Sequence, residues 1–546
     1  MAQQTSQRIR LRRWQKAALD AFRTRSGPDF LAVATPGAGK TTFALAAVRQ
    51  HLAEHPERRL VVVAPTQHLK GQWADAAEAL DLHLEPGWTA SDGRLPADVH
   101  GMVTTYQQVA GSAAEIARIA SGAFVVLDEA HHSGEDRAWG DAARVAFAGA
   151  AVRLSLSGTP FRSDTRAIPF VRYDDDGLAQ SDVEYGYADA LKDGGVVRPV
   201  HFPRTDGEME WVAADGTLAR ATFQDALDGV AASQRLRTAL SVDGEWLPAV
   251  LAKAHRTLGD VRATHPAAGG VVIALDQDHA RGIARIMQQR LGVTPVVAVS
   301  EDPGASGRIA DFGRGTEPWI IAVRMLSEGV DIPRLRVGVF ATTTTTELFF
   351  RQAVGRLVRW TRGLGPQPSH MFIPDDPRLR AHAFAIAEQR RHSLRRVDAD
   401  GEPIEEQEEP QEIVEAPEPG DQMNLFAAIS AVATGEGDPA GAAWQPAPAA
   451  TLDEGVLLEL APAPQVLPPQ PEGPDGLPPA SPRERRRALR DANASLVRLI
   501  SRLTGQSHQQ VNAELNRRVG VERVGEATLE QLETRRREAA KWLAAA

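Results

Sequence analysis

The chain has 546 residues, a formal net charge of -10 and no cysteine. Because a single hydrophobic core stops growing at roughly 250 to 300 residues, this length predicts several domains. The absence of cysteine excludes disulfides, thiolate zinc sites and cysteine-bound iron–sulfur clusters, so a metal would need oxygen or histidine ligands.

No apolar run approaches the roughly 18 to 20 residues that a membrane span requires. The N-terminal segment Met1–Trp14 is arginine-rich and has no apolar stretch like that of a signal peptide, so we expect a cytoplasmic protein without a membrane partner. The negative charge is concentrated, because Asp398 to Asp421 contains eleven Asp and Glu and no Lys or Arg. The remainder is close to neutral, and local basic patches can still bind phosphate.

Short apolar runs alternate with helical patterns in two successive blocks. This alternation predicts two α/β domains, each with a mostly parallel sheet and helices on both faces. We place the first domain at residues 1–245 and the second at 246–396. Within the first, about 165–245 is assigned to a linker or insertion. The predicted strands are Phe30–Ala34, Leu60–Ala64, Met102–Val103, Phe124–Leu127, Val152–Leu156, Val271–Leu275, Pro295–Val299, Trp319–Val323, Val337–Ala341 and His370–Ile373.

The composition changes beyond residue 396. The acidic run and a tract rich in Pro and Ala cannot bury a core, so residues 397–480 are predicted to form a disordered tether. Residues 481–546 are predicted to form a small all-α module with fourteen Lys and Arg against eight Asp and Glu. Its three helix starts have capping-box spacing, at Ser481, Ser507 and Thr528.

The segment Ala34-Thr-Pro-Gly-Ala-Gly-Lys-Thr41 follows a predicted strand and opens a helix. In this setting backbone N–H groups and the helix N-terminus hold phosphate groups. We expect Lys40 to contact the β and γ phosphates of a nucleotide and Thr41 to place its hydroxyl on Mg²⁺. Ala34 stands where the strict phosphate-loop pattern has glycine, so an ordinary glycine turn is the alternative.

A further predicted strand, Phe124–Leu127, delivers Asp128 and Glu129 to the carboxyl end of the same sheet. We assign Mg²⁺ binding to Asp128. Glu129 is the candidate base that orients and deprotonates the attacking water. A string such as Asp128-Glu-Ala-His131 occurs by chance in many proteins, but its position after a strand and downstream of the phosphate loop favours the catalytic interpretation.

These two segments resemble motifs I and II of the superfamily 2 helicases of DEAH type, closest in character to restriction-enzyme motor subunits and DNA repair translocases. The resemblance spans roughly Arg12 to Ile373. It implies two tandem RecA-like parallel-sheet domains and an ATPase that uses ATP and Mg²⁺. The implied phosphate-loop contacts are Pro36, Gly37, Ala38, Gly39, Lys40, Thr41 and Thr42.

The other motifs of the first domain follow in order. Leu11-Arg-Arg-Trp-Gln15 resembles the element in which a glutamine, here Gln15, recognises adenine, with an arginine-rich helix start as the alternative. Ala64-Pro-Thr66 and Thr104-Thr-Tyr106 resemble motifs Ia and Ib, and Ser157-Gly-Thr-Pro160 resembles motif III. The implied nucleic-acid contacts are Pro65, Thr66, Thr104, Thr105 and Tyr106. The residues implied to couple hydrolysis to movement are His131, Ser157 and Thr159.

In the second domain Glu328-Gly-Val-Asp-Ile-Pro333 resembles motif V, and Gln352-Ala-Val-Gly-Arg-Leu-Val-Arg359 resembles motif VI. Arg356 and Arg359 lie three apart on one predicted helical face, so both can point across an interdomain cleft at the phosphates. They are candidate arginine fingers, with a solvated arginine pair as the alternative. The residues implied to bind nucleotide are Gly329 and Asp331, and those implied to act in catalysis are Gln352, Arg356 and Arg359.

The resemblance implies an ATP-dependent DNA helicase or translocase that acts in replication, repair, recombination or defence. Motif VI begins with Gln352 rather than the His-Arg start common in RNA-acting box helicases, which favours DNA over RNA as the track. The alternatives are an RNA helicase, and an ATP-gated nucleic-acid-binding switch without processive unwinding.

Two protein partners are also predicted. Gln422-Met-Asn-Leu-Phe426 is similar to the bacterial sliding-clamp-binding pentapeptide, with Gln422, Leu425 and Phe426 as anchors. A short amphipathic turn that packs on the motor is the alternative. We find no nuclease site, so a partner would supply any cleavage. The C-terminal helical module is the predicted docking element for a nuclease, another protein or DNA, and a solvated basic face is the alternative.

Overall fold

The computed structural model describes residues 7–130, 137–158, 167–174, 179–213, 216–299, 302, 304–323, 332–394, 427–437, 455–466 and 481–545. The chain divides into two compact units. Unit 1 comprises Met1–Val33, Gly39–Glu184 and Glu454–Ala546, and unit 2 comprises Ala34–Ala38 and Tyr185–Asp453. In the described part of the chain, no helix combines the length and the apolar character needed to cross a membrane.

The first sheet has seven strands. They are β2 (Asp29–Ala34), β3 (Leu60–Ala64), β4 (Leu84–Glu85), β5 (Gly101–Thr105), β6 (Phe124–Leu127), β7 (Val152–Ser157) and β8 (Val183–Tyr185). Their order is β4-β5-β3-β6-β7-β2-β8, and the neighbours from β4 to β2 are parallel. The helices between them are α1 (Arg13–Arg23), α2 (Lys40–Glu54), α3 (Gln67–Glu78), α4 (Tyr106–Gly111), α5 (Ala113–Ala120) and α6 (Arg137–Phe147).

The central strands of this sheet are apolar along their whole length because helices cover both of their faces. Every residue of β3 and of β6 is buried. Since β2, β6 and β7 run parallel, their carboxyl ends lie at one edge of the sheet. Ligand sites of open α/β sheets form at that edge. The phosphate loop follows β2, Asp128 and Glu129 follow β6, and Ser157 ends β7, so the predicted site residues lie there.

Unit 2 contains a second, mixed sheet. Its strands are β9 (Val200–His201), β10 (Arg204–Val212), β11 (Leu218–Thr222), β12 (Gly269–Ala274), β13 (Val296–Ala298), β14 (Trp319–Val323), β15 (Leu335–Ala341), β16 (Ser369–Pro374) and β17 (Ala427–Gly437). The order is β11-β10-β16-β15-β12-β14-β13, with β17 on β10 and β9 on β16. The helices are α7 (Tyr187–Asp193), α8 (Gly229–Ala239), α9 (Trp246–Thr264), α10 (Gln277–Leu291), α11 (Ala305–Arg314), α12 (Glu347–Leu357) and α13 (Pro377–Leu394).

The prediction of two RecA-like α/β domains is confirmed, but the boundary between them differs. Residues 185–245 belong to unit 2 rather than to the first domain, because β10 and β11 extend the second sheet. The prediction of a linker for about 165–245 is therefore wrong over this range. Trp211 of β10 packs into the same core as Trp246 and Trp319, and all three are almost fully buried.

Two parts of the predicted disordered tether form strands instead. β17 pairs antiparallel with β10, and its Ala431 carbonyl accepts the backbone N–H of Glu245 at 2.9 Å. β18 (Val456–Leu460) pairs antiparallel with β1 (Gln7–Leu11) in a separate two-stranded sheet. Over these short stretches backbone pairing and a few buried apolar side chains outweigh the low-complexity composition of their surroundings.

The C-terminal module consists of three helices, as predicted: α14 (Pro482–Thr504), α15 (His508–Val519) and α16 (Leu529–Ala545). The capping boxes at Ser481 and Ser507 are present. The module is not separate, however, because it belongs to unit 1. Arg486 Nη2 lies 2.6 Å from Asp98 Oδ1, and Asp98 Oδ2 accepts the Leu529 N–H at 2.8 Å. Buried charge pairing therefore joins the module to the first sheet domain.

Candidate active site

The loop after β2 has the backbone of a phosphate-binding turn. Gly37 and Gly39 have φ angles of +86° and +90°, in a region that favours glycine, and α2 begins at Lys40. Thr41 and Thr42 follow in the first helical turn, where backbone N–H groups have no partner within the helix. An anion at this helix start would meet backbone donors, the positive end of the helix and the Lys40 ammonium.

Lys40, at the start of α2, and Glu129, after β6, lie in contact. The Lys40 Nζ lies 3.3 Å from Glu129 Oε1, and Glu129 Oε2 accepts the backbone N–H of Gly158 at 3.0 Å. Glu129 has a φ of +47°, which is uncommon for a residue with a side chain and is typical of functional turns. One carboxylate thus contacts the lysine of motif I and the backbone that directly follows Ser157 of motif III.

Asp128 occupies the buried side of the same turn. Its Oδ2 accepts the indole N–H of Trp73 at 2.8 Å, and its backbone carbonyl accepts the Tyr106 hydroxyl at 3.0 Å. Burial, and then the charge of Glu129, raise the pKa of Asp128 to about 6, while the Trp73 hydrogen bond and Lys40 oppose this shift. The sequence motifs did not point to Trp73, because a tryptophan on an amphipathic helix is usually a core residue and its sequence gives no sign of a catalytic partner.

The oxygen donors present fit a magnesium site. Mg²⁺ is usually held by one or two carboxylates together with phosphate oxygens and water. Thr41 supplies a hydroxyl in the first turn of α2, and Asp128 supplies a carboxylate at the end of β6. A hydroxyl and a carboxylate of this kind match the Mg²⁺ that the sequence motifs predict.

Gln15 is buried beside the phosphate loop. Its side-chain Nε2 donates to the Gly39 carbonyl at 2.8 Å, and its Oε1 accepts the Arg12 N–H at 2.7 Å. The glutamine of the predicted adenine element therefore links the start of α1 to the last glycine before Lys40.

Motif VI departs from its predicted geometry. α12 ends at Leu357, so Arg356 lies in its last turn, whereas Arg359 lies beyond it in an antiparallel bridge with Val197. The two arginines therefore do not share one helical face. Within unit 2, Arg359 lies against the loop at 34–38, since a Cβ added to Gly37 would be 3.2 Å from Arg359 Cδ.

The predicted nucleic-acid residues fall into two groups. Pro65 and Thr66 are partly exposed at the end of β3. Thr104, Thr105 and Tyr106 have at most 2% of their surface exposed. Tyr106 is buried, and its hydroxyl donates to the Asp128 backbone carbonyl from within the core; the nucleic-acid contact of this segment stays a prediction.

The remaining predicted residues are placed as follows. Ser157 is fully buried at the end of β7, and Gln352 is partly exposed on α12. Several predicted residues lie outside the described part of the chain, namely His131, Thr159, Gly329, Asp331, Gln422, Leu425 and Phe426.

Comparison with known proteins gives three kinds of likeness. The family described as "Type III restriction enzyme, res subunit" matches residues 8–162. "Uncharacterized protein Rv2917" of Mycobacterium tuberculosis is 46% identical over 393 residues, which cover 71% of this chain and 65% of that protein. The chain thus spans just under two thirds of that relative. "Uncharacterized protein ML1624" of Mycobacterium leprae is 39% identical over 562 residues, which cover 96% of this chain and 92% of that protein.

Among solved structures, a fragment of a putative HsdR subunit of a type I restriction enzyme from Vibrio vulnificus is 17% identical, with a TM-score of 0.47. The match covers 71% of this chain and 66% of that chain.

Proposed function

Because the chain belongs to the family of the Mycobacterium leprae protein and carries a superfamily 2 helicase-like motor, we propose that it hydrolyses ATP to move along DNA. The main support is that the Glu129 carboxylate contacts both the Lys40 ammonium and the Gly158 N–H. A phosphate-binding ammonium and a carboxylate suited to orienting water lie in contact, and the carboxylate is tied to the segment that follows β7. Hydrolysis and movement can be coupled through such a connection.

Each first-unit residue then has a defined task. The loop backbone and the N-terminus of α2 bind the phosphates, Lys40 contacts the β and γ phosphates, and Glu129 orients and deprotonates the attacking water. Mg²⁺ held by Thr41 and Asp128 would neutralise charge on the phosphate oxygens. Gln15 recognises adenine while its amide contacts Gly39. Gly329 and Asp331 complete the nucleotide contacts in this proposal.

We assign the arginine finger to Arg359, with Arg356 and Gln352 in supporting positions. The support is the close approach of Arg359 to Gly37, in the loop that is expected to hold the phosphates. A guanidinium there can stabilise negative charge that develops on the γ-phosphoryl group. Hydrolysis would then depend on the placement of the segment after α12.

DNA is the proposed track, and replication, repair, recombination or defence the proposed setting. The support is the glutamine at the start of motif VI and the match to a restriction-enzyme family over residues 8–162. Motors of this class grip mainly the phosphate backbone, so binding should weaken with salt and show little sequence preference. An RNA helicase and an ATP-gated switch without processive movement are the competing functions.

The deciding experiment measures ATP turnover of the full chain with no nucleic acid, single-stranded DNA, duplex DNA or RNA. Strong stimulation by DNA that is lost in Glu129→Gln supports the DNA motor. Stimulation by RNA alone would replace DNA with RNA as the track. ATP binding without stimulation by any nucleic acid would favour the switch.

The sliding clamp is proposed as a protein partner on the sequence Gln422-Met-Asn-Leu-Phe426 alone. A short peptide with one polar and two apolar anchors suits a preformed groove at modest affinity. Replacement of both Leu425 and Phe426 by alanine should abolish retention on immobilised clamp, and unchanged retention would end the proposal. A nuclease or other partner would bind at the C-terminal helices.

A further inference from the structure

The strand that leads into the predicted adenine element has its partner at the other end of the chain. β1 and β18 form a two-stranded sheet in which Gln7 faces Leu460 and Leu11 faces Val456. Leu11 and Leu460 are both fully buried. An isolated pair of strands is marginally stable, so the position of β1 depends on what holds β18.

A buried arginine on the phosphate-loop helix holds one end of this pair. Arg49 of α2 is 1% exposed, and its guanidinium donates to the Ala461 carbonyl at 3.0 Å and to the Gln7 side chain. It also donates to the Leu80 carbonyl at 2.6 Å. The planar, five-donor guanidinium can satisfy several acceptors at once, so Arg49 joins α2, β1 and the residue after β18.

The other end of β1 is linked to the phosphate loop through Arg12 and Gln15. Leu11 is followed by Arg12, whose N–H binds the Gln15 side chain, and that side chain donates to Gly39. Gly455, just before β18, packs so closely here that an added Cβ would lie 2.6 Å from the Leu11 carbonyl oxygen. A shift of Gly455 would therefore displace Leu11, the residue directly before the Arg12 N–H donor.

The segment after β18 is fixed as well. The Pro464 carbonyl lies 2.8 Å from His100 Nε2, and His100 Nδ1 accepts the His83 N–H at 2.9 Å. Because Nδ1 accepts, the proton of the neutral ring sits on Nε2 and is donated to Pro464. We call residues 455–464 the C-terminal strap. It contacts the rest of unit 1 through β1, Arg49 and His100.

We propose that the C-terminal strap completes the nucleotide-binding half of unit 1, with Arg49 as the positioning residue that ties the strap to the phosphate-loop helix. The strap pairs with β1, and β1 leads into Arg12, whose N–H binds the Gln15 side chain. Gln15 in turn donates a hydrogen bond to the Gly39 carbonyl of the phosphate loop. Displacement of the strap lowers the affinity for ATP through Gln15 and leaves Lys40 and Glu129 in place. This inference rests on the proposed function, because it assumes that the loop binds ATP.

Energetic coupling between two sites is reciprocal. If the docked strap strengthens ATP binding, bound ATP must strengthen strap docking by the same factor. Couplings of this kind typically change affinity by about 5-fold or more.

The test compares two glycines with nearly the same backbone conformation. Gly455 has a φ of +67° and Gly122 a φ of +69°, but an added Cβ meets nothing within 4 Å at Gly122. Gly455→Ala and Gly122→Ala therefore carry similar backbone strain, and Gly455→Ala alone adds the clash with Leu11. In the full chain, Gly455→Ala should raise the Kd for a fluorescent ATP analogue and the KM for ATP by about 5-fold. Its kcat at saturating ATP should stay near that of wild type, and Gly122→Ala should change neither.

A second measurement does not depend on how the variants fold. Hydrogen exchange of the wild-type amides at 456–460 should slow when ATP is added. Equal Kd values for Gly455→Ala and wild type, or an exchange rate unaffected by bound ATP, would overturn the strap proposal while leaving the ATPase proposal intact. A wild-type chain that binds no ATP would instead overturn the proposed function, and the strap proposal with it.

Discussion

The Lys40 ammonium lies 3.3 Å from the Glu129 carboxylate, and the second oxygen of that carboxylate accepts the Gly158 N–H. The residue expected to bind phosphate and the residue expected to activate water are thus in direct contact. Neutralising the carboxylate should affect the two functions in opposite ways, because the ammonium loses a competing anion while the reaction loses its base.

Glu129→Gln should therefore bind ATP at least as tightly as wild type but turn it over about 100-fold to 10,000-fold more slowly, the usual contribution of a general base. Equilibrium binding and steady-state turnover on the same preparation provide the measurement. Weakened binding together with near-normal turnover would remove Glu129 from the reaction.

Arg359→Ala should keep ATP binding and lose about a thousandfold in turnover, the lower range for an arginine finger. Arg362, three residues further on and exposed, supplies the matched control. Arg362→Ala should hydrolyse ATP normally. If Arg359→Ala also hydrolyses ATP normally, Arg359 does not act as an arginine finger.

Trp73→Phe keeps a smaller aromatic ring at this buried position and removes the N–H that Asp128 Oδ2 accepts at 2.8 Å. Since a buried carboxylate then loses a donor, the free energy of unfolding of unit 1 should fall by about 1.5 to 3 kcal/mol, and turnover should fall with it. Thermal unfolding and ATP turnover measure the two effects. An unchanged unfolding temperature would mean that the indole N–H contributes nothing to Asp128.

Arg486→Met should loosen the C-terminal helices from unit 1. The arginine is 5% exposed, contacts Asp98 at 2.6 Å and donates to the Ala527 carbonyl at 2.9 Å. Its loss leaves the buried Asp98 carboxylate without its ion-pair partner, which costs about 3 to 5 kcal/mol. Limited proteolysis near residue 481 should accelerate. The exposed neighbour Arg487 is the control, and equal protection of Arg486→Met and Arg487→Met would contradict the docking role.

Acid should destabilise unit 1 at His100, because protonation of Nδ1 removes the acceptor of the His83 N–H while Nε2 still donates to the Pro464 carbonyl of the C-terminal strap. Burial lowers the pKa of His100 to about 4 from an ordinary value of 6.5. The unfolded chain therefore binds a proton between these values that the folded chain does not, so stability falls as the pH drops from about 6.5 towards 4. One such histidine contributes at most about 3 kcal/mol over this window.

His100→Gln should flatten the dependence of unfolding temperature on pH between 7 and 4. His508 is exposed, and His508→Gln serves as the control. A pH slope that is the same in both variants would exclude His100 as the acid-sensitive contact.

The local sequence pattern was sufficient to predict two of the central strands. Phe124–Leu127 and Trp319–Val323 were predicted with their observed ends, because buried parallel strands read as short continuous apolar runs. The capping boxes of the C-terminal helices were predictable for a similar reason, since each depends on two residues only three apart.

The errors concern contacts between distant parts of the chain. Residues 185–245 looked like a linker because β10 completes its pairing with β16 and β17, which follow far later in sequence. Tyr106 was assigned to nucleic-acid contact only because Thr104-Thr-Tyr106 resembles motif Ib, and the sequence did not predict that its side chain is buried beside Asp128. No local pattern encodes either relationship.

By itself the sequence determined the two α/β domains, the phosphate loop and the order of the motifs, because strand burial, helix caps and glycine turns depend on residues close together in the chain. Only the tertiary structure decided that Glu129 meets Lys40, that Trp73 supports Asp128, and that β18 lies beside β1. These contacts join residues that lie from 55 to about 450 positions apart in the chain. Their formation is decided by the summed burial of the whole unit, which outweighs the entropy of closing such long loops.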